Sequence, residues 1–296
     1  MSEIPLRVSV IVPTHNRGIL ICDNIDTLLA QDYESFEILY VNDGSTDETA
    51  EILHNYQEYA PKFFRAVHID NMGPGPARNA GVKLATGDVL LFTDDDVLVP
   101  EDWITGMVAA FQQHKRRPVS GRVASYSKKT PVERYLHYRN KISIPASGRT
   151  MRATPMMNFM IDRETFNAVG GFLDEPLQAA EDWEFCLRLR SQNIRIAYDG
   201  SVPVTHRYQS SIDGAIRRMR ATGALGVYIQ HRLGAPLFPY VIYAMLRFLV
   251  TPLWVPRYFP KDLFWMALYM EWIFITARVK AYGCHLMGRP IPPRGY

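Results

Sequence analysis

Cysteine is scarce in this chain: Cys22, Cys186 and Cys284 are the only three, far apart and with no CxxC pair. That pattern excludes a disulfide framework and a cysteine-based zinc site, and it fits a reducing compartment. The first residues, MSEIPLRVSVIVP, lack the charged start, long apolar core and cleavage site of a secretory signal, so the chain is expected in the cytoplasm. Unbroken apolar runs of the ~20 residues that a spanning helix needs are also lacking. The two most apolar stretches, 237–255 and 263–279, are interrupted by Pro239, Arg247 and Pro252 and by Glu271. Acid is nearly missing from residues 115–152, where Glu133 alone faces 11 basic residues.

What is present is globular, with 47% hydrophobic and 21% charged residues. The net charge of +3 hides an asymmetry, since residues 1–100 hold 16 acids against 6 bases and the remainder is basic. A carboxylate-rich part suits a cation, and a basic part suits anionic material or a solvated surface.

Short β-branched runs at Arg7–Pro13, Phe36–Val41, Phe64–Ile69 and Val89–Thr93 alternate with helical spacing over 19–31, 45–59 and 76–85. Ser45 and Glu48 form a capping box opening the second helix. This alternation predicts an α/β fold with a mostly parallel sheet flanked by helices, and a ligand site beyond the carboxyl ends of the strands. Further on, 127–155 reads as an excursion without periodicity. Strands are expected at 119–126, 156–161, 195–198 and 202–205, and a helix over 179–192. Beyond Ser211 a basic helix to Gly234 and the two aromatic-rich stretches form a C-terminal helical tail. These stretches suit helices lying at a membrane interface, packing on protein, or spanning a bilayer.

Thr93–Val97 (TDDDV) is the strongest local signal. Three adjacent carboxylates repel one another unless a cation relieves them, and oxygen ligands suit Mg2+ or Mn2+ shared with phosphates. A run of acids before a helix is also an ordinary cap. The Gly/Pro loop 71–76 runs into a helix whose N-terminus, with Arg78, suits a diphosphate. Asp43 suits a base or ribose, or the cap of the next helix. Asp182 lies in a helical first turn, where the dipole favours the ionised carboxylate that a general base needs, or where an acid is simply well placed. His206 reads as a metal ligand or a structural histidine.

Taken in order, 10–17 (VIVPTHNR), 41–47 (VNDGSTD), 75–81 (GPARNAG), 92–96 (FTDDD), 158–163 with Gly170–Phe172, and 181–183 (EDW) resemble the family 2 glycosyltransferases of the Rossmann-like GT-A fold. The resemblance implies a nucleotide-sugar donor, a UDP-sugar being the common one in the family, held by Pro13, Thr14, Asn16, Arg17, Asp43, Asn71, Arg78, Asp94 and Asp95. It implies a divalent metal, Mn2+ or Mg2+, on Asp94, Asp96 and His206. Asn158, Gly171, Glu181 and Trp183 would line the acceptor or sugar pocket, and Asp182 would be the base of an inverting transfer. No QxxRW motif follows His206, which argues against a processive polymerase.

Residues 1–210 are accordingly expected as the catalytic domain, with 1–100 its nucleotide half and 101–210 its acceptor half, and 211–296 as the tail. The expected partners are the donor, a glycan or lipid-linked acceptor and, peripherally, the inner face of a membrane. A homo-oligomer stays open, and no nucleic-acid reader motif is present. A sugar nucleotidyltransferase and a catalytically inactive donor-binding relative are the competing readings.

Overall fold

The computed structural model describes residues 5–141, 150–177, 179–208 and 211–289. Strand β1 (Val8–Thr14) is buried along its whole length, as its run of Val and Ile requires. It pairs in parallel with β2 (Phe36–Asp43) on one side and β4 (Val89–Phe92) on the other, and β3 (Phe64–Ile69) joins β2. The connections are α1 (Cys22–Leu29), α2 (Thr49–Tyr59) and α3 (Pro74–Leu84).

The chain then supplies β5 (Val97–Leu98), α4 (Trp103–Gln113), β6 (Val119–Ser125), α5 (Pro131–Lys141), β7 (Thr150–Met151), β8 (Phe159–Asp162), α6 (Arg163–Val169), α7 (Glu181–Ser191) and β9 (Ile196–His206). The sheet order is β3-β2-β1-β4-β8-β6-β9-β5, with β7 on β9. It is parallel through β4 and antiparallel where β8 meets β4 and β6, and where β9 meets β5 and β7. The order reverses between β1 and β4, so a crevice opens at the carboxyl ends of these two strands. One sheet face packs Val10, Val12, Tyr40 and Leu91 against Ile25 and Leu28 of α1 and Trp103 and Met107 of α4. On the other face α3 approaches β1 closely. A Cβ on Gly81 would lie 2.7 Å from Ile11 Cγ2, so only glycine fits at that crossing.

Three local expectations are corrected. Ser45 and Glu48 make no capping box: the Ser45 hydroxyl accepts the Asn16 N–H at 2.9 Å, and Asp47 Oδ1 accepts the Thr49 N–H where α2 begins. The excursion over 127–155 contains α5 and β7. A true capping box opens α5, with the Thr130 N–H on Glu133 Oε2 at 2.9 Å and the Glu133 N–H on Thr130 Oγ1 at 3.2 Å. The two short strands near 195–205 are one long strand, β9.

By compactness the described chain divides into two units. The first comprises residues 5–124, 150–176 and 181–207; the second takes 125–141 and almost everything from 208 on. The second unit is built from α5, α8 (Ile212–Arg232), α9 (Leu237–Tyr258) and α10 (Phe264–Leu286). Tyr135, Met219, Val255, Phe259, Ala267 and Met270 share its core. Among the described residues no helix is long and apolar enough to cross a membrane, which removes the spanning alternative for the tail.

Candidate active site

The crevice at the ends of β1 and β4 is lined by a turn. Asp94–Val97 is closed by the Val97 N–H on the Asp94 carbonyl at 3.2 Å, and the Arg207 N–H holds the Asp96 carbonyl at 2.8 Å. Asn24 of α1, fully buried, donates its Nδ2 to the carbonyls of Asp94 and Val97, and its Oδ1 accepts the Tyr40 hydroxyl at 3.1 Å. A polar residue thus sits in the core to hold the acidic turn.

Each carboxylate of the turn has a specific partner. Arg17, at the end of the β1 loop, puts Nε 3.0 Å from Asp95 and Nη2 3.2 Å from Asp96. Burial disfavours the Arg17 charge, but Asp95 and Asp96 outweigh it and hold its pKa above the usual value. Burial pushes the Asp95 carboxyl up to about 6, against the pull of Arg17 and with the repulsion of Asp96. Arg78 of α3 is buried, with Nη2 2.6 Å from Asp94 and Nη1 2.8 Å from Glu181, the first residue of α7. Its guanidinium also lies over the Phe172 ring, 5.5 Å from the centroid. Again burial opposes the charge and the two carboxylates more than restore it.

Asp96 and His206 converge, with Oδ1 3.1 Å from Nε2. They meet because β5 pairs with the end of β9 in the register Val97↔His206. A carboxylate and an imidazole at this spacing are donors that a hexacoordinate divalent ion accepts, its other positions falling to phosphate oxygens and water. The donor set fits such an ion. Among the described residues no group of three His, Cys, Asp or Glu side chains is gathered at one point. Asp94, expected beside Asp96 as a ligand, has its Oδ1 on Arg78.

Thr14 is buried where β1 ends. The Asp43 carboxylate accepts the N–H groups of Met72 and Gly73 at 2.7 and 2.8 Å, which fixes the loop entering α3. Asn71 lies on that loop, its Nδ2 3.2 Å from His15 Nε2, and His15 Nδ1 is 2.7 Å from the Asp43 carbonyl. Asn16, with φ of +50°, takes the Thr46 N–H on its Oδ1 at 2.8 Å and so joins the β1 and β2 loops.

Several of the residues expected at the site have protein partners. Arg78 is 3% exposed with both Nη atoms on carboxylates, so it positions Asp94 and does not face the crevice as a free cation. Asn158 is fully buried. Its Oδ1 accepts Trp103 Nε1 at 2.9 Å and its Nδ2 reaches the carbonyls of Arg122 and Val202, so both of its donors are used in the core. Gly171, with φ of +64°, makes the turn after α6, where a Cβ would lie 2.9 Å from Asn79 Oδ1. Asn79 in turn clasps the backbone N–H and C=O of Phe172, both at 2.9 Å. Glu181 serves Arg78. Asp182 and the half-buried Trp183 follow it in the first turn of α7, where Asp182 Oδ1 accepts the Trp183 N–H at 2.6 Å. Asn24 is not among the expected site residues, although it carries a signal, since it stands three residues after Ile21 and four before Leu28, on the apolar face of its helix; His15 lies in the loop after β1, where the strand order predicts a ligand site, but has no role of its own in the sequence reading.

Comparison with known proteins gives the same direction. The family model for glycosyl transferase family 2 matches residues 9–173. An uncharacterized glycosyltransferase of Nostoc is 37% identical over 108 residues, covering 36% of this chain and 33% of that protein. The poly(ribitol-phosphate) beta-N-acetylglucosaminyltransferase TarS of Staphylococcus aureus is 28% identical over 207 residues, covering 66% of this chain and 34% of TarS. The chain thus matches about a third of the length of these curated relatives. Among solved structures, the mannosyltransferase PcManGT from Pyrobaculum calidifontis, in complex with GDP-Man and Mn2+, superposes with a TM-score of 0.61 at 21% identity. The match covers 98% of this chain and 78% of that one.

Proposed function

The chain belongs to glycosyl transferase family 2, and from that premise we propose that it is an inverting glycosyltransferase, moving a sugar from a nucleotide-sugar onto an acceptor hydroxyl. The observation that carries this reading is the acidic turn at the β1/β4 crevice, with Asp96 Oδ1 3.1 Å from His206 Nε2 and Asp94 tied through Arg78 to the start of α7. The printed titles of its relatives support the donor class: PcManGT is described with GDP-Man and Mn2+, and TarS is an N-acetylglucosaminyltransferase.

Pro13, Thr14 and Asp43 form the floor for the nucleoside, and the His15–Asn71 pair forms its rim. Two lone-pair sites of Asp43 hold the Met72 and Gly73 amides, and those remaining suit a ribose or base donor. Asp96 and His206 would hold a divalent cation, Mn2+ or Mg2+, which would supply positive charge against the charge building on the leaving diphosphate. Arg78 and Glu181 keep Asp94 and the first turn of α7 in one frame, so that Asp182 is set relative to the donor. Asp182 takes the proton of the acceptor hydroxyl as that oxygen bonds to the anomeric carbon. The bond from that carbon to the diphosphate oxygen breaks, and its electron pair leaves with the nucleoside diphosphate. The aromatic and basic helices α9 and α10 support an acceptor presented at the cytoplasmic face of a membrane, a lipid-linked or cell-envelope glycan.

The test is a panel of UDP-, GDP- and dTDP-sugars with Mn2+, following protection against thermal unfolding and nucleotide release in wild type and Asp182→Asn. One donor should protect both proteins, with release in wild type alone. Equal release rates would remove Asp182 from the role of base, and no protection by any donor would remove the donor site itself.

A further inference from the structure

Helices α9 and α10 bury one side in the second unit and leave the other uncovered. On α10 the outward positions Trp265, Tyr269, Trp272 and Val279 recur at helical spacing, and Tyr269 and Trp272 stack with centroids 6.1 Å apart. Thr276 falls in the same stripe, but its hydroxyl donates back to the Trp272 carbonyl at 2.8 Å, which removes the polar interruption. On α9 Leu246, Leu249 and Leu253 point outward. Leu249, Leu253 and Trp265 are 72%, 76% and 77% exposed. Exposed large apolar side chains in this number mark a binding surface.

Charge selects the occupant. The exposed cations of residues 237–286 are Arg247, Arg257, Lys261 and Lys280, against two acids, Asp262 and Glu271; Arg278 is turned inward over the Tyr240 and Phe274 rings. Glu271 is buried, and Asp262 is paired with Arg134 at 2.7 Å. The uncovered side is therefore leucine and indole rimmed by cations, complementary to an apolar phase under an anionic surface. The α9 backbone sets the depth. Pro252 and Pro256 lie inside the helix and deprive the carbonyls of Phe248 and Pro252 of their usual donors. Such groups are tolerated near water and are costly in hydrocarbon.

We propose that the outward face of α9 and α10 docks on an anionic lipid bilayer, lying in its interface without crossing it. This gives the membrane-side acceptor reading a contact surface and rests on that reading for its purpose. It also orients the helices, with the indoles at headgroup level and the leucines of α9 below them.

The test sediments the full chain with vesicles of phosphatidylcholine alone and with added phosphatidylglycerol, at low and high salt. Binding is expected to the anionic vesicles, weaker at high salt. The double variant Leu249→Glu/Leu253→Glu should weaken it by about tenfold or more, and so should Trp265→Ala/Trp272→Ala, since each tenfold is about 1.4 kcal/mol. All four positions are exposed, and unchanged thermal unfolding of the variants confirms that they fold. Indifference of wild type to anionic vesicles, or equal binding by both variants, overturns the proposal. So does a wild-type dimer in light scattering that Leu249→Glu/Leu253→Glu splits, because a second copy then covers the face. Nucleotide release from soluble donor, measured without vesicles, reports the catalytic reading alone, so the two failures are distinguishable.

Discussion

Replacing Arg78 by methionine removes the cation that Asp94 and Glu181 share while keeping much of the side chain's length. Deleting one member of a buried ion pair costs roughly 3–5 kcal/mol, because the other charge is stranded. Glu181, at 8% exposure, bears that cost nearly in full, whereas the Asp94 side chain is 27% exposed and rehydrates in part. The expected loss for Arg78→Met is therefore about 3–4 kcal/mol, on the order of 10 °C in the melting of the first unit. Glu181→Gln leaves Arg78 one carboxylate and a neutral acceptor, and should cost about 1–2 kcal/mol. Combining the two removes the stranded charge, so the double variant should fall short of the sum by about 1.5–3 kcal/mol. Thermal unfolding of the four proteins gives the cycle directly. Donor protection, measured where all are folded, should weaken in Arg78→Met as Asp94 loses its anchor. A single-variant loss below about 1 kcal/mol, or additivity within about 0.5 kcal/mol, would refute the claim that Arg78 joins α3, the acidic turn and α7 through charge.

Asn24→Ala should cost about 2 kcal/mol by removing a donor from the Asp94 and Val97 carbonyls and the acceptor of the Tyr40 hydroxyl. It should also lower nucleotide release beyond the loss of folded protein, and full activity in the folded variant would contradict the role given to Asn24. Glu37 Oε1 accepts the Thr86 N–H and the hydroxyls of Thr86 and Ser9 at 2.6–2.7 Å. Burial there raises its pKa, but these bonds and the Arg7 charge outweigh burial and lower it below the usual value. The stabilisation is complete above the unfolded pKa and is lost as pH falls through the folded one. Glu37→Gln should thus cost about 1 kcal/mol near pH 7, after screening at this half-exposed site, and progressively less in acid. A pH-independent difference in urea midpoints would count against the assignment.

The first three strands were legible almost to the residue: β1 and β2 are apolar runs between turn residues, buried along nearly their whole length, while β3 is an edge strand that buries Phe64 and Val67 and exposes Arg65 and His68. Phe64–Ile69 was placed to the residue, and β1 within one position. Helix α5 was hidden because its apolar positions, Val132, Tyr135 and Leu136, are few among basic residues, although Thr130 and Glu133 carried its start signal. The site residues were legible as residue types more than as roles. Nothing near Arg78 in sequence reveals that Glu181, far down the chain, will share its guanidinium, so a cation in a Gly/Pro loop read as a phosphate ligand. Asn158 misled for the same reason: the Trp103 indole and the Arg122 and Val202 carbonyls that occupy it come from three separate elements.

The pairing of β5 with the end of β9 also bears on how the protein is made. β1 to β4 and the acidic turn come from the first hundred residues and are joined mostly by short crossovers. His206 reaches Asp96 only by closing a loop through all the intervening chain, a non-local contact that forms slowly. On the ribosome, residues 1–100 can therefore collapse while the imidazole has not yet been synthesised. A nascent chain, or a truncation ending before β9, carries the carboxylates of the acidic turn without the partner that the finished sheet brings to them.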